Sequence, residues 1–189
     1  MKNLLFSLFL LMSFQVFGQT ITLDKAHARL QFYATHLTIS SVDGKFTDFD
    51  VHVKDFDATD LLKAKFHVLA NLNSVDTGIE ARDTHLKSAD FFDVAKNKNL
   101  EFTSTKVTKI KGNAYALSGN LTLNNITKPV NLKLVYNGKV NNSMNKKNTH
   151  GFTIEGKLNR LDFGIGNNFP EAVVGNQINI VSNLEFVEN

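Results

Sequence analysis

The sequence predicts an all-β chain folded as one antiparallel barrel of about eight strands. Three observations carry that expectation. Apolar and polar residues alternate with period two through most of the chain after residue 20, the pattern of strands with one dry and one wet face. Turn signals such as Asn137-Gly138 and Lys111-Gly112-Asn113 separate the alternating runs. The chain has no cysteine, so the core alone must hold it together. With this many strands, closure into a barrel removes exposed edges. A two-sheet sandwich has the same periodicity, and alternation does not separate the two.

The first residues stand apart. Met1-Lys2-Asn3 supplies a positive charge, the run from Leu4 to Phe14 is almost wholly apolar, and Val16-Phe17-Gly18 has the compact residues of a cleavage site. Residues 1–18 therefore read as a removable secretory signal. The run is too short for a membrane span of roughly 20 residues. The mature chain, residues 19–189, is expected to be one exported, soluble domain, periplasmic or secreted, with no stable membrane insertion once the signal is gone.

Strands follow in order. "ARLQFYATH" and "GKFTDFDVHVK" read as the first two, and "KAKFHVLAN" aligns Ala64, Phe66, Val68 and Ala70 on one face. "LEFTSTKV" makes another. "AYALSGNLTLN" puts Tyr115, Leu117, Gly119, Leu121 and Leu123 together, and "PVNLKLVYN" does so for Val130, Leu132, Leu134 and Tyr136. "GFTIEGKLN" groups Phe152, Ile154, Gly156 and Leu158, and "QINIVSNLEFVEN" groups Ile178, Ile180, Leu184 and Phe186. Two short helices are expected at about 77–95, near one end of the barrel. Thr77 and Glu80 have capping-box spacing for the first, and Ser88 in "SADFFDV" is an N-cap candidate for the second.

Function classes narrow from here. Lys+Arg 21 against Asp+Glu 18 gives +3, and the basic residues are scattered, which leaves no footprint for nucleic acid. The histidines, at 27, 36, 52, 67, 85 and 150, form no HxH, HxxxH or HExxH pair, so neither a metal site nor a cofactor is expected. His52 and His67 alternate with apolar neighbours and should face solvent. His85 beside Asp83 or Asp90 has the residue types of an acid–base pair, but no nucleophile motif accompanies it. The bland reading, that Arg82, Asp83 and His85 brace a loop, outweighs catalysis. Sixteen phenylalanines and no tryptophan suit an eight-stranded barrel, which is just wide enough to fill itself or to hold one small ligand. Ala64, Ala70, Gly119 and Gly156 sit on otherwise bulky inward faces and favour an apolar cavity.

Four segments then carry a resemblance: "FYATHLTISSVDGKFTDFDV", "SVDTGIEARDTHLKSADFFDVAKNKNLEFTSTKV", "GNLTLNNITKPVNL" and "LNRLDFGI". In this order they resemble the YceI-like family over nearly the whole mature chain. The run from Asp76 through Arg82-Asp83 and His85-Leu86 to Phe91-Phe92 is the most specific part. Ala28, where the family often has serine, and Lys98, where it usually has proline, are departures that bear on loop geometry. The resemblance implies an extended, lipocalin-like antiparallel barrel that binds polyisoprenoid or another long-chain amphiphilic lipid in its interior, with no established catalysis.

Inward faces then supply candidate lining residues: Phe32, Phe49, Phe66, Ala70, Phe91 and Phe92 from the first half, and Phe102, Gly119, Leu121, Leu134, Phe152 and Phe163 from the second. His36, Arg82, Asp83, His85 and Arg160, which fall in the matched segments, are the candidates for the mouth and a lipid head group. The lipid is the expected partner, and a second copy of the chain is a further candidate. The alternatives are a hydrolase or isomerase using His85 and a scaffold protein with a filled core. For the export reading, intact mass of the exported product should place its first residue at Gln19 or a residue or so later. A full-length product retained in the cytoplasm contradicts it.

Overall fold

Strands from both ends of the chain meet in one sheet in the computed structural model, which describes residues 19–189. The segment read as a signal peptide lies outside the described residues. The strands are β1 (Ile21–Leu23), β2 (Arg29–His36), β3 (Ser40–Phe46), β4 (Phe49–Lys54), β5 (Lys65–Asn71) and β6 (Val75–Asp76), then a helix α1 (Glu80–Lys87). After it come β7 (Asn99–Lys111), β8 (Ala114–Leu123), β9 (Ile126–Asn141), β10 (Asn148–Asn159) and β11 (Val174–Glu188).

Their pairing explains how the sheet curls into a ring. The order is β4-β5-β7-β8-β9-β10-β11-β2-β3-β6, with β1 also on β11. β1 and β2 are two halves of one strand on the same edge of β11, broken by a 3₁₀ turn at Lys25–His27. β3 runs into β4 through Thr47-Asp48, and β5 runs into β6 through Leu72–Ser74. Backbone bonds from Thr47 to Ser74 and from Asn71 to Asp48 carry the pairing across both bends. Three bent strands and five continuous ones thus make a ring of eight staves, and the barrel, not the sandwich, is the fold. Bending explains why the single strand expected from "GKFTDFDVHVK" is two.

The inward faces follow the alternation. Tyr115, Leu117, Gly119, Leu121 and Leu123 of β8 are all buried, as are Phe66, Val68 and Ala70 of β5. One half of the interior is filled by rings: Phe56, Phe66, Phe152 and Phe186 are almost wholly buried. Phe152 meets Phe186 edge-on at 5.6 Å and 89°, and meets both Phe56 and Phe66 at 6.0 Å. Edge-to-face pairs of this kind contribute about 0.5–1.5 kcal/mol each beyond burial. The small residues do not open space there, contrary to the sequence expectation. The Phe102 ring covers Gly119 and the Leu132 side chain covers Gly156, so an added Cβ would collide with either.

A buried polar chain closes this end. His150 is 0% exposed. Its Nδ1 lies 2.9 Å from the Tyr136 hydroxyl and its Nε2 2.8 Å from Glu188 Oε1, while Asn148 Nδ2 donates to Glu188 Oε2 at 2.7 Å. Both imidazole nitrogens are therefore satisfied, as burial requires. Of the two histidines expected at the surface, His52 is exposed, and His67 is half-buried and paired with Glu101 at 2.8 Å.

Local expectations fail where tertiary contacts override them. Asn137-Gly138 is no hairpin turn. It lies inside β9, where Gly138 at φ 115° accompanies a bulge opposite Gly151/Phe152. Gly112-Asn113 does form the two-residue turn between β7 and β8. The capping box is absent, because Ile79 occupies the N-cap. Thr77, two residues upstream, instead donates its N–H to Asp83 Oδ1 at 2.8 Å and its hydroxyl to the same oxygen. The second helix is a run of turns: Asp93 has φ 44°, and this irregular path buries adjacent Phe91 and Phe92 together.

The 160–175 segment is held by one side chain. Arg160 is 2% exposed, and its guanidinium donates to the carbonyls of Ile165 (2.9 Å), Gly166, Phe169 (2.7 Å), Val174 (3.0 Å) and Gly175 (3.3 Å). Gly166, at φ 63°, leaves no room for a Cβ beside Phe91 and the guanidinium. Burial pushes the Arg160 pKa down, and Glu171 opposes that shift.

Two outcomes are expected. Arg160→Met should lose at least about 2 kcal/mol of stability in chemical denaturation, since it strands several carbonyls. Arg160→Lys should recover little, because an ammonium has three donors and no planar fork. The second concerns acid. The Asn148 amide first, and the His150 imidazole next, hold the Glu188 carboxyl below its usual range. A depressed folded pKa gives stability that is present above the ordinary glutamate value of about 4.3 and lost as pH falls through the lower folded value. Glu188→Gln should therefore lower Tm near neutral pH, with the wild-type and variant curves converging in acid. A gap that stays constant to low pH would show that the carboxylate charge does not matter.

Candidate functional site

The other half of the barrel is lined but not filled. Leu30, Phe32 and Ala34 of β2 and, on the paired strand, Ile178 and Ile180 of β11 form one wall of a cavity of about 120 Å³. Leu86 from α1, Phe91 and Phe92 from the following turns, and Phe163 and Ile165 from the Arg160-held segment complete the wall. The surface presented to this space is wholly apolar. Strand pairing accounts for its position, because the β11–β2 register slips between Val174 and Ile178. There the sheet gives way to loops.

A second chamber of about 220 Å³ lies toward solvent and shares Phe32, Ala34, Leu86, Phe91 and Val174 with the first. Its remaining wall is mixed, with Thr35, His36, Thr77, Arg82 and His85 beside Phe169 and Val173. Phe91 stacks on Phe169 at 4.9 Å, and His85 meets the two rings edge-on at 5.1 and 5.6 Å. These three rings stand where the inner and outer chambers adjoin. Arg82 and Asp83 are tied inward: Arg82 Nε donates to Thr77 Oγ1 at 2.7 Å and Nη2 to the Thr77 carbonyl at 2.8 Å. The helix thereby clamps the chain at the chamber edge.

The structure distributes the sequence-derived candidates unevenly. Phe32, Phe91, Phe92 and Phe163 line the inner chamber, and His36, Arg82 and His85 line the outer one. Asp83 is turned to Thr77. Arg160 lies against the inner chamber, but every one of its donors is engaged by backbone, so it braces a loop rather than offering a free charge. Phe66, Ala70, Phe102, Gly119, Leu121, Leu134 and Phe152 are not on the chamber wall. They belong to the packed interior, where neighbouring rings already occupy the space, and Phe49 packs half-buried against that core. Leu30, Ala34, Leu86, Ile178 and Ile180 are wall residues that sequence reasoning did not assign to the site. The signal for them was the alternation of β2 and β11, with small Ala34 among larger neighbours.

His85 Nε2 lies 3.1 Å from Asp90 Oδ2, both side chains about half exposed. Among the described residues this is its only hydrogen-bond partner. The pair can move a proton, and among the described residues neither of its side chains hydrogen-bonds a hydroxyl.

Comparison with known proteins agrees with this architecture. The family model for the YceI-like domain matches residues 21–186. A UPF0312 protein of Serratia proteamaculans is 45% identical over 139 residues, covering 74% of this chain and 71% of that protein. Among solved structures, a YCEI protein of Campylobacter jejuni superposes with a TM-score of 0.75 at 30% identity, covering 82% of this chain and 90% of that one. A polyisoprenoid binding domain from Saccharophagus degradans, implicated in plant cell wall breakdown, superposes with a TM-score of 0.68 at 14% identity, covering 91% of this chain and all of that one; at this identity the likeness is one of fold. With its barrel, its chamber and a matched span from the start of β1 to Phe186 in β11, this chain belongs to the YceI-like family.

Proposed function

We propose that this chain is an exported carrier that holds a polyisoprenoid or another long-chain amphiphile, with the tail in the inner chamber and the head group at the outer one. The observation that carries the reading is the junction of a wholly apolar space with a mouth where His36, Arg82 and His85 supply polar groups. The polyisoprenoid binding domain among its structural neighbours agrees in kind. Binding is favoured over catalysis because His85 faces aromatic rings and one exposed carboxylate.

The inner chamber, about 120 Å³, is smaller than typical ligand pockets of roughly 300–1,000 Å³. A long tail therefore enters by displacing wall residues. Phe91 and Phe169 stand on turns rather than on hydrogen-bonded strands, so they are the part of the wall that yields. Burying about ten methylene-sized groups offers roughly 8 kcal/mol, partly offset by association and ordering costs. An exposed ion pair offers about 0–1 kcal/mol. The tail sets affinity, and the mouth sets preference among head groups.

Two variants test this. Ala34→Phe puts a ring into the shared wall and should abolish uptake of a long-chain prenyl alcohol, measured by native mass spectrometry, while a cooperative melt persists. Undiminished uptake in a folded Ala34→Phe protein would remove the chamber from the account. Arg82→Ala should weaken binding of a prenyl phosphate only a few-fold and leave the neutral alcohol unchanged. An equal loss for both would make Arg82 a brace for Thr77 and not a head-group contact.

A further inference from the structure

The carrier reading leaves unexplained a feature at the rim of the mouth. β2, whose Phe32 and Ala34 line the chambers, continues past His36 into the hairpin tip Leu37-Thr38-Ile39 before β3 begins. Ile39 is 85% exposed and Leu37 48%. From Leu37 to Val42 the chain carries no charged residue. Leu37 and Thr38 both have positive φ, 50° and 62°. Hairpin turns with that geometry favour Asn-Gly, and a β-branched residue is rarely found in it. Local preference would thus place permissive residues such as Asn and Gly at this tip, and the chain places Leu37 and β-branched Thr38 in strained backbone instead, with Ile39 beside them. Strain of this kind concentrates at working sites.

The tip is also joined to the mouth. The Leu37 N–H donates to the Val173 carbonyl at 3.1 Å, and Val173 lines the outer chamber. Ile79, 53% exposed, lies two residues beyond Thr77 of the same chamber. Aliphatic side chains therefore stand outside the opening, beyond the mixed wall of the outer chamber.

We propose that the Leu37–Ile39 tip inserts into the surface of a lipid bilayer and seats the mouth on it, so that a tail passes between membrane and chamber without crossing water. The inference rests on the carrier reading for its purpose, though not for its geometry. A bilayer is the occupant that fits: the tip is narrow and uncharged, and it borders the opening of an apolar chamber. Exposed apolar residues also occur at the far end, at Ile110, Val140 and Met144. That end is closed by the Phe56, Phe152 and Phe186 rings and serves as the control.

The absence of cysteine allows a single environment-sensitive fluorophore to be attached at Ser40→Cys or, at the far end, at Lys111→Cys. With vesicles of phosphatidylethanolamine and phosphatidylglycerol, emission from position 40 should shift to the blue and emission from position 111 should not. Ile39→Ser should weaken vesicle binding on the order of tenfold or more, the effect of withdrawing one buried aliphatic side chain. Replacing Leu37 by Asn and Thr38 by Gly should raise Tm, because the turn is relaxed, and still weaken vesicle binding. Solanesol uptake from detergent dispersion should be unchanged in both variants, while its transfer from vesicles should slow by the factor that binding falls. Equal shifts at positions 40 and 111, or none at either, would overturn the proposal. So would a folded tip variant that loses uptake from detergent and from vesicles alike, since the tip would then act through the chamber. If wild-type protein takes up no solanesol from either source but position 40 still shifts, the docking surface stands and the carrier reading falls.

Discussion

The interior of an eight-stave ring is a single apolar column, and the rest of this molecule depends on which half of it side chains fill. Barrel closure gives every stave a neighbour on each side over part of its length, so what remains inside is a packing problem. On the β5, β10 and β11 side the problem is solved by four interlocked phenylalanines, with a buried histidine satisfied on both nitrogens beyond them. Toward the β2–β11 register slip the rings line a space and do not fill it: Phe46 meets Phe32 at 5.8 Å and Phe92 at 5.9 Å along its wall. Ala34 is small, the sheet ends early, and loops supply the wall. A chamber there is a consequence of filling only one half.

The two sides of that chamber are held in different ways. Arg160 gathers carbonyls from five residues between Ile165 and Gly175 around one planar fork, which uses all of its donors without a counter-ion. Burying a guanidinium is costly, and the hydrogen bonds offset that cost only while the loop keeps its shape. This fixes Phe163 and Ile165. Opposite them, Phe91 and Phe92 sit on turns held by main-chain bonds to Ser88 and Leu86, and the Asn124 and Asn97 amides donate to their carbonyls. Phe169 is anchored by its carbonyl to Arg160, while its ring packs on Phe91 and His85. On the proposed carrier reading, the side chains on this second wall are the ones that move when a long chain enters.

Much of this was legible in the sequence because strand alternation is a local signal. β8 reads inward at every second position from Tyr115 to Leu123, and the structure keeps all five buried. What was not legible depended on partners distant in the chain. Gly119 and Gly156 looked like openings until Phe102 and Leu132, from neighbouring strands, proved to cover them. Thr77 and Glu80 had the spacing of a capping box, yet the helix begins after Ile79 and Thr77 belongs to Asp83 and Arg82. The phenylalanine count pointed to the filled half as readily as to the hollow one. Only the β2–β11 register told Phe32 from Phe66.

The central claim, a proposal, is that a lipid tail lies in the inner chamber against the paired β2 and β11 wall. It is tested most directly by photocrosslinking a prenyl lipid that carries a diazirine on its tail, followed by peptide mapping. The account predicts adducts on the peptides holding Leu30 to Ala34, Phe91-Phe92 and Ile178 to Ile180. Adducts confined to outward-facing residues, or centred on Phe66 and Phe152, would contradict it.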